Sequence, residues 1–164
     1  MDHKQYLCVI LAISSGMRLN ELMELRWPDV YLKQGYLILH KTKNGTRRRV
    51  PLAGVGLELL REHAKVRQFG TDLLFPSSIV KDQPVLVRKA FINALRRAGI
   101  KDFHWHDLRH TTASELIMNG ASLAEVAEIL GHKSLAMTKR YTHQSDSHVS
   151  NIVASMNEKI FGGV

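Results

Sequence analysis

The sequence predicts a mainly α fold with one small antiparallel β element, an α+β chain of 164 residues. Three observations predict it. Apolar residues recur at helical spacing in several stretches bounded by glycine or proline. Asn44-Gly45 separates two short runs of β-formers, the strongest short hairpin signal. No repeat, low-complexity tract or internal linker interrupts the chain, so one domain over 1–164 is expected, large enough to bury its own core.

Residues 5–15 are apolar almost throughout, as in a buried helix, and Gly16 is its expected terminator. Cys8 falls inside it as a core thiol. A short helix follows over 18–25 with Leu19, Leu22 and Met23 on one face, and Pro28 is expected to stop it. Arg18 and Glu21 stand three apart on it, a spacing that most often makes a surface salt bridge. Residues 36–40 and 47–52 read as the two hairpin strands, with 41–46 as the tip.

Residues 54–69 form an amphipathic pattern with Leu57, Leu60 and Ala64 inward. Leu73-Leu74-Phe75 reads as a short strand ended by Pro76, 77–83 as a loop, and 84–98 as a helix closed by Gly99. The next helix runs from Trp105 to Met118, closed by Asn119-Gly120. Ser122 and Glu125 form a capping box for a helix whose inward stripe is Leu123, Val126, Ala127 and Leu130; Gly131 ends it. Ser134 is expected to cap a last short helix carrying Tyr141. In 151–160, Ile152, Val153 and Met156 fall on one side of an apolar helical tail.

Lys and Arg number 23 against 15 acids, a formal charge of +8. That excess favours a polyanionic partner, nucleic acid first; on charge alone a solvated basic surface with no partner is an equal alternative. The hairpin concentrates it: Lys41, Lys43, Arg47, Arg48 and Arg49 come with no acid between them. Such a tip suits a DNA groove or a phosphate, or else a solvated edge hairpin. A single cysteine excludes an internal disulfide and points to a reducing compartment. The apolar run 7–13 is short for a signal peptide and lacks a cleavage site, and no stretch reaches the length of a membrane span. Gly54-Val55-Gly56 lacks the third glycine of a dinucleotide fingerprint.

The chemistry concentrates between Phe103 and Tyr141. His106, Arg109 and His110 at i, i+3 and i+4 share one helical face. His132 follows the Gly131 turn. A guanidinium matches the paired oxygens of a phosphate, and a phenol is a potential nucleophile. Three readings fit these residues. In the first, Arg18, Arg109 and an imidazole hold a phosphodiester while Tyr141 attacks it and a lysine protonates the leaving oxygen. In the second, 122–142 is a helix-turn-helix that presents Lys139 and Arg140 to DNA without chemistry. In the third, His106 and His110 bind zinc; no Glu-x-x-His partner or nearby cysteine completes that set. His104 reads as a surface residue at the start of the helix and His110 as a hydrogen-bonded structural one.

Taken together, these boxes closely resemble the catalytic domain of tyrosine recombinases, the phage-integrase family. Ser15-Gly16-Met17-Arg18-Leu19-Asn20-Glu21-Leu22 resembles the family's first arginine box. Lys43 stands at the place of its hairpin lysine. His106-Asp107-Leu108-Arg109-His110-Thr111 matches its His-x-x-Arg box, and Leu130-Gly131-His132 with Tyr141 matches its last box. The order and spacing of the pieces carry the specificity.

The resemblance implies a DNA breaking–rejoining fold, mainly helical with a small antiparallel sheet at one edge. It implies that Arg18, Arg109 and His132 bind the scissile phosphate, with Glu21 orienting Arg18. Lys43 would be the general acid for the 5′ oxygen, with Lys41 its competitor, and His106 would assist proton transfer or hold the phosphate. Tyr141 would form a 3′-phosphotyrosine that a 5′ hydroxyl reverses. No ATP is needed and no metal has a necessary place. Lys41, Arg47, Arg48, Arg49, Lys139 and Arg140 would contact double-stranded DNA.

The partner assembly implied is a homotetramer on DNA, a monomer for the isolated domain, with accessory DNA-bending proteins admitted. The setting implied is the cytoplasm, for a bacterial or phage-encoded mobile element, without a membrane. The family's N-terminal core-binding domain is expected to be absent from the chain, and 145–164 is a tail helix suited to exchange between subunits. The rival in mechanism is strand relaxation of the type IB topoisomerase kind.

Overall fold

Asp2 starts the first helix, α1 (His3–Ser15): its carboxylate accepts from the Gln5 N–H at 2.8 Å while the Gln5 side chain accepts from the Asp2 N–H at 3.0 Å. This reciprocal cap adds His3 and Lys4 to the helix expected from residue 5. Gly16 ends it in the left-handed region, φ 63°, as expected. The computed structural model describes residues 2–40, 47–80, 82–132, 134–139, 141 and 156. They divide into two compact units, Met1–Thr112 and Ala113–Val164.

In the first unit α2 (Leu19–Met23) is shorter than expected, and Pro28 does not stop it. The chain leaves the helix because residues 25–27 pair with 72–74. The Leu25 carbonyl accepts from the Leu74 N–H and the Trp27 N–H donates to the Asp72 carbonyl, each at 2.8 Å. Pro28 sits instead in a 3₁₀ turn, Trp27–Asp29, where a missing N–H costs nothing. The same pairing corrects the strand expected at 73–75: those residues are buried, but they make one isolated bridge, Arg26 with Leu73, rather than a ladder.

The hairpin forms as β2 (Tyr36–Leu39) and β3 (Arg48–Pro51), antiparallel, with Leu37 opposite Val50 and Leu39 opposite Arg48. The tip, 41–46, lies outside the described residues. A third strand, β1 (Val30–Tyr31), pairs with β2 and was not legible in the sequence, because two residues carry no periodicity. Helix α3 (Gly54–Lys65) stops four residues short of Phe69. Leu60 is fully buried as expected; the unexpected inward residue is His63. Its ring stacks between Trp27 and Phe75, with centroids 5.8 and 5.5 Å away. Its Nε2–H donates to the Leu74 carbonyl at 2.9 Å.

Helix α4 (Arg88–Arg97) begins later than residue 84, because Pro84 bridges Pro76 and the Val85 N–H donates to the Phe75 carbonyl at 2.9 Å. Helix α5 (Trp105–Met118) has the expected bounds. The first unit's core includes Leu7, Leu11, Leu22, Leu37, Leu60 and Phe75.

The second unit contains α6 (Leu123–Leu130) and α7 (Ala136–Lys139). The Ser122–Glu125 capping box and the left-handed Gly131 are present as expected. Ala113, Ile117, Val126, Leu130 and Tyr141 form its apolar cluster. Tyr141 is not carried by the last helix: α7 ends at Lys139 and Tyr141 follows in a turn, its N–H donating to the Thr138 carbonyl at 3.1 Å. Of the predicted tail, Met156 is helical and exposed, whereas Ile152 and Val153 lie outside the described residues. Among the described residues no helix is long and apolar enough to cross a membrane.

Candidate active site

The first unit's candidate residues gather on the turn after α1. A left-handed Gly16 turns its carbonyl away from the helix, and Arg109 Nη1 donates to that oxygen at 2.6 Å. Arg109 is 3% exposed, so its charge is held by protein groups rather than by water. One turn later on α5, the Thr112 hydroxyl donates to the Ile13 carbonyl at 2.7 Å. Together the two bonds fasten one face of α5 to the end of α1. The start of α5 is set by Asp107, whose carboxylate accepts from the His104 N–H at 2.6 Å. That bond holds the Asp107 carboxyl below its ordinary range. His104 is exposed, as expected. His106 and His110 meet edge to face, ring centroids 4.7 Å apart.

Arg18 is the N-cap of α2, two residues after Gly16. Its Nη1 donates to Glu21 Oε1 at 2.9 Å, and its backbone N–H donates to Oε2 at 2.9 Å. The expectation of an ordinary surface pair is corrected here. The Glu21 side chain is 5% exposed, and a second guanidinium, Arg48, binds the same carboxylate at 3.0 and 3.3 Å. Arg48 was expected to contact DNA. Its side chain is 8% exposed and turned inward, because β3 alternates and Arg48 shares a face with the fully buried Val50. Burial lowers the Arg48 guanidinium from its ordinary value, with Glu21 opposing the shift.

The remaining hairpin cations divide. Lys41 and Lys43 lie outside the described residues. Arg47 is exposed. Arg49 is exposed and lies over the Tyr36 ring, 3.8 Å from its centroid, with Tyr31 stacked on the same ring at 4.6 Å. That stack gives Arg49 a fixed outward position at the sheet surface.

The second unit carries candidate residues of its own. His132 follows Gly131, and its N–H donates to the Ala127 carbonyl at 2.9 Å. Its Nδ1 is 2.8 Å from the hydroxyl of Thr138, a fully buried residue that the sequence reading missed. A hydroxyl six residues on, one turn into the next helix, was the available signal. Tyr141 is 7% exposed within the apolar cluster. Lys139 is exposed, and Arg140 lies outside the described residues. Among the described residues, no group of three His, Cys, Asp or Glu side chains is placed to hold a metal ion.

A buried arginine is tied to one end of the Gly16–Arg18 turn, and a second arginine is clamped by Glu21 at the other. The sequence profile of the Phage integrase family matches residues 1–148, and the chain belongs to that family. It is 36% identical over 139 residues to the Shufflon-specific DNA recombinase of Escherichia coli, covering 84% of this chain and 34% of that protein. It is 34% identical over 143 residues to the Tyrosine recombinase XerC of Xanthomonas axonopodis pv. citri, covering 85% of this chain and 46% of that protein. Among solved structures, the crystal structure of XerA recombinase superposes with a TM-score of 0.76 at 27% identity, over 94% of this chain and 58% of that one. A XerH site-specific recombinase bound to its palindromic difH substrate, a post-cleavage complex, superposes at 0.75 and 27% identity, over 94% of this chain and 47% of that one. The chain therefore spans about a third to a little over half of the length of these relatives.

Proposed function

We propose that this chain is the catalytic domain of a tyrosine-type site-specific DNA recombinase or integrase, and that it cuts and rejoins duplex DNA through a 3′-phosphotyrosine. The observation that carries the reading is the Arg109–Gly16 bond, which fastens the two arginine boxes to one turn although 93 residues separate the partners. The relatives' names support the same reading, as does the DNA-bound state of the XerH structure.

In this mechanism Arg18, Arg109 and His132 hold the nonbridging oxygens of the scissile phosphate, and Glu21 orients Arg18. The Tyr141 Oη attacks phosphorus and forms the P–O bond as the bond to the 5′ oxygen breaks. The phenolic proton leaves to a base, for which His106 is the candidate, and the 5′ oxygen takes a proton from Lys43. Attack by a 5′ hydroxyl of a partner strand reverses each step. The bond energy stays in the phosphotyrosine, so no ATP and no metal enter the scheme. Double-stranded DNA is the substrate and Arg47, Arg49, Lys139 and Arg140 contact it; recombination proceeds in a homotetramer, with 145–164 exchanged between subunits and accessory bending proteins compatible.

The test is a nicked suicide duplex carrying the sequence that the protein selects from a random pool. The unsubstituted protein should give a covalent adduct on a denaturing gel, and Tyr141→Phe should bind the duplex and give none. An adduct of equal strength from the Phe variant removes the assignment. A helix-turn-helix module gives no adduct from either protein, and a topoisomerase relaxes supercoils without a partner duplex.

A further inference from the structure

One carboxylate serves two guanidiniums drawn from different elements. Glu21 Oε1 accepts from Arg18 Nη1 at 2.9 Å and from Arg48 Nη1 at 3.3 Å; Oε2 accepts from the Arg18 N–H at 2.9 Å and from Arg48 Nη2 at 3.0 Å. One arginine is enough to neutralise a buried carboxylate. A second one costs solvation, and buried ion pairs contribute little net stability against a well-packed apolar alternative. What such a pair does supply is geometry.

The two arginines bind differently. Arg18 offers one side-chain nitrogen to Glu21, whereas Arg48 meets both carboxylate oxygens, fork to fork. Arg48 therefore fixes the plane of the carboxylate, and the carboxylate fixes Arg18. Arg48 also opens β3, opposite Leu39, so the clamp joins the tip-proximal end of the two hairpin strands to α2.

We propose that Arg48 is a positioning residue for strand cleavage: it holds Glu21 so that Arg18 meets the scissile phosphate in one orientation, and it is not a DNA-backbone contact. This rests on the recombinase reading above. Two signatures separate the roles. A residue acting through Arg18 changes the cleavage rate at saturating DNA. A phosphate contact changes duplex affinity and lowers its salt slope by about one.

The experiment compares Arg48→Met and Arg48→Lys with the unsubstituted protein, using the nicked duplex selected as above, at temperatures below each variant's melting point. Arg48→Met should slow adduct formation at saturating duplex by about tenfold to a hundredfold, as a misplaced catalytic group does. Its duplex Kd should stay within about twofold, with the salt slope unchanged. Arg48→Lys should recover part of the rate. In an Arg18→Ala background Arg48→Met should cost little more, because it acts through Arg18. A weaker Kd with a shallower salt slope and an unchanged rate overturns the proposal in favour of a DNA contact. Losses that multiply in the double variant, or a lowered melting point with neither rate nor Kd changed, overturn it in favour of an independent or purely structural role. No adduct from the unsubstituted protein overturns the recombinase reading and this inference with it.

Discussion

Arg109 Nη1 lies 2.6 Å from the carbonyl oxygen of Gly16, the left-handed residue that ends α1. The last carbonyls of a helix carry partial negative charge and lack intrahelical donors, so a guanidinium is well matched to this one. Replacing Arg109 with Gln should cost about 1–3 kcal/mol, because a buried acceptor loses its charged donor. Gly16→Ala should cost about 1 kcal/mol from the positive φ alone. Urea melts of the two variants check both values; equal stability of Arg109→Gln and the unsubstituted protein refutes the first.

Glu21 answers two guanidiniums, and removing its charge leaves both without their anion. Glu21→Gln should destabilise the protein by about 3 kcal/mol, the cost of breaking a buried pair from one side. The exposed neighbour Glu24 is the control, and Glu24→Gln should stay within about 0.5 kcal/mol. Chemical denaturation of the two variants measures the difference.

His63 makes stability depend on pH. Burial between Trp27 and Phe75 holds its imidazole below the ordinary 6.5, with His3 and Lys4 adding to the effect and the Leu74 carbonyl opposing it. The unfolded chain then binds the proton more readily than the folded one. The neutral ring's contribution is complete above 6.5 and is lost as pH falls from there through the lower folded value. Denaturation at about pH 7.5 and about pH 5 should show less stability in acid, and His63→Phe should flatten that difference. An unchanged slope in the variant removes His63 as its source.

Thr138 holds Nδ1 of His132 at 2.8 Å, a contact that helps to orient the ring. Thr138→Val should cost about 1 kcal/mol of stability and, on the recombinase reading, slow adduct formation, with Thr138→Ser restoring the rate. A Val variant as fast as the unsubstituted protein shows that the bond does not serve catalysis.

Tyr141 is packed as a core residue, and this sets the right control for its chemistry. Tyr141→Phe keeps the ring in the Val126–Leu130 cluster and should change stability by less than about 1 kcal/mol. Tyr141→Ala should cost about 3 kcal/mol, so its loss of activity would be uninterpretable. Thermal melts of the two variants separate packing from chemistry.

Local chemistry alone determined much of this protein. The left-handed glycines at 16 and 131, the Ser122–Glu125 cap, the bounds of α5 and the presence of the two hairpin strands each depend on residues close in sequence, so sequence spacing is enough to read them. The candidate residues Arg18, His106, Arg109, His132 and Tyr141 were legible for the same reason, through the short boxes that contain them. The tertiary structure alone decided where long-range partners intervene. Residues 72–74 draw 25–27 out of α2, so Pro28 terminates nothing. Glu21 recruits Arg48 from 27 residues away and turns an apparent surface pair into a buried clamp. Period two places Arg48 on the face of Val50, a hint that its positive charge overrode. Tyr141 lies in a core although its sequence marks it for chemistry. Burial depends on which segments meet, and a lone sequence specifies the local backbone far more directly than it specifies those meetings.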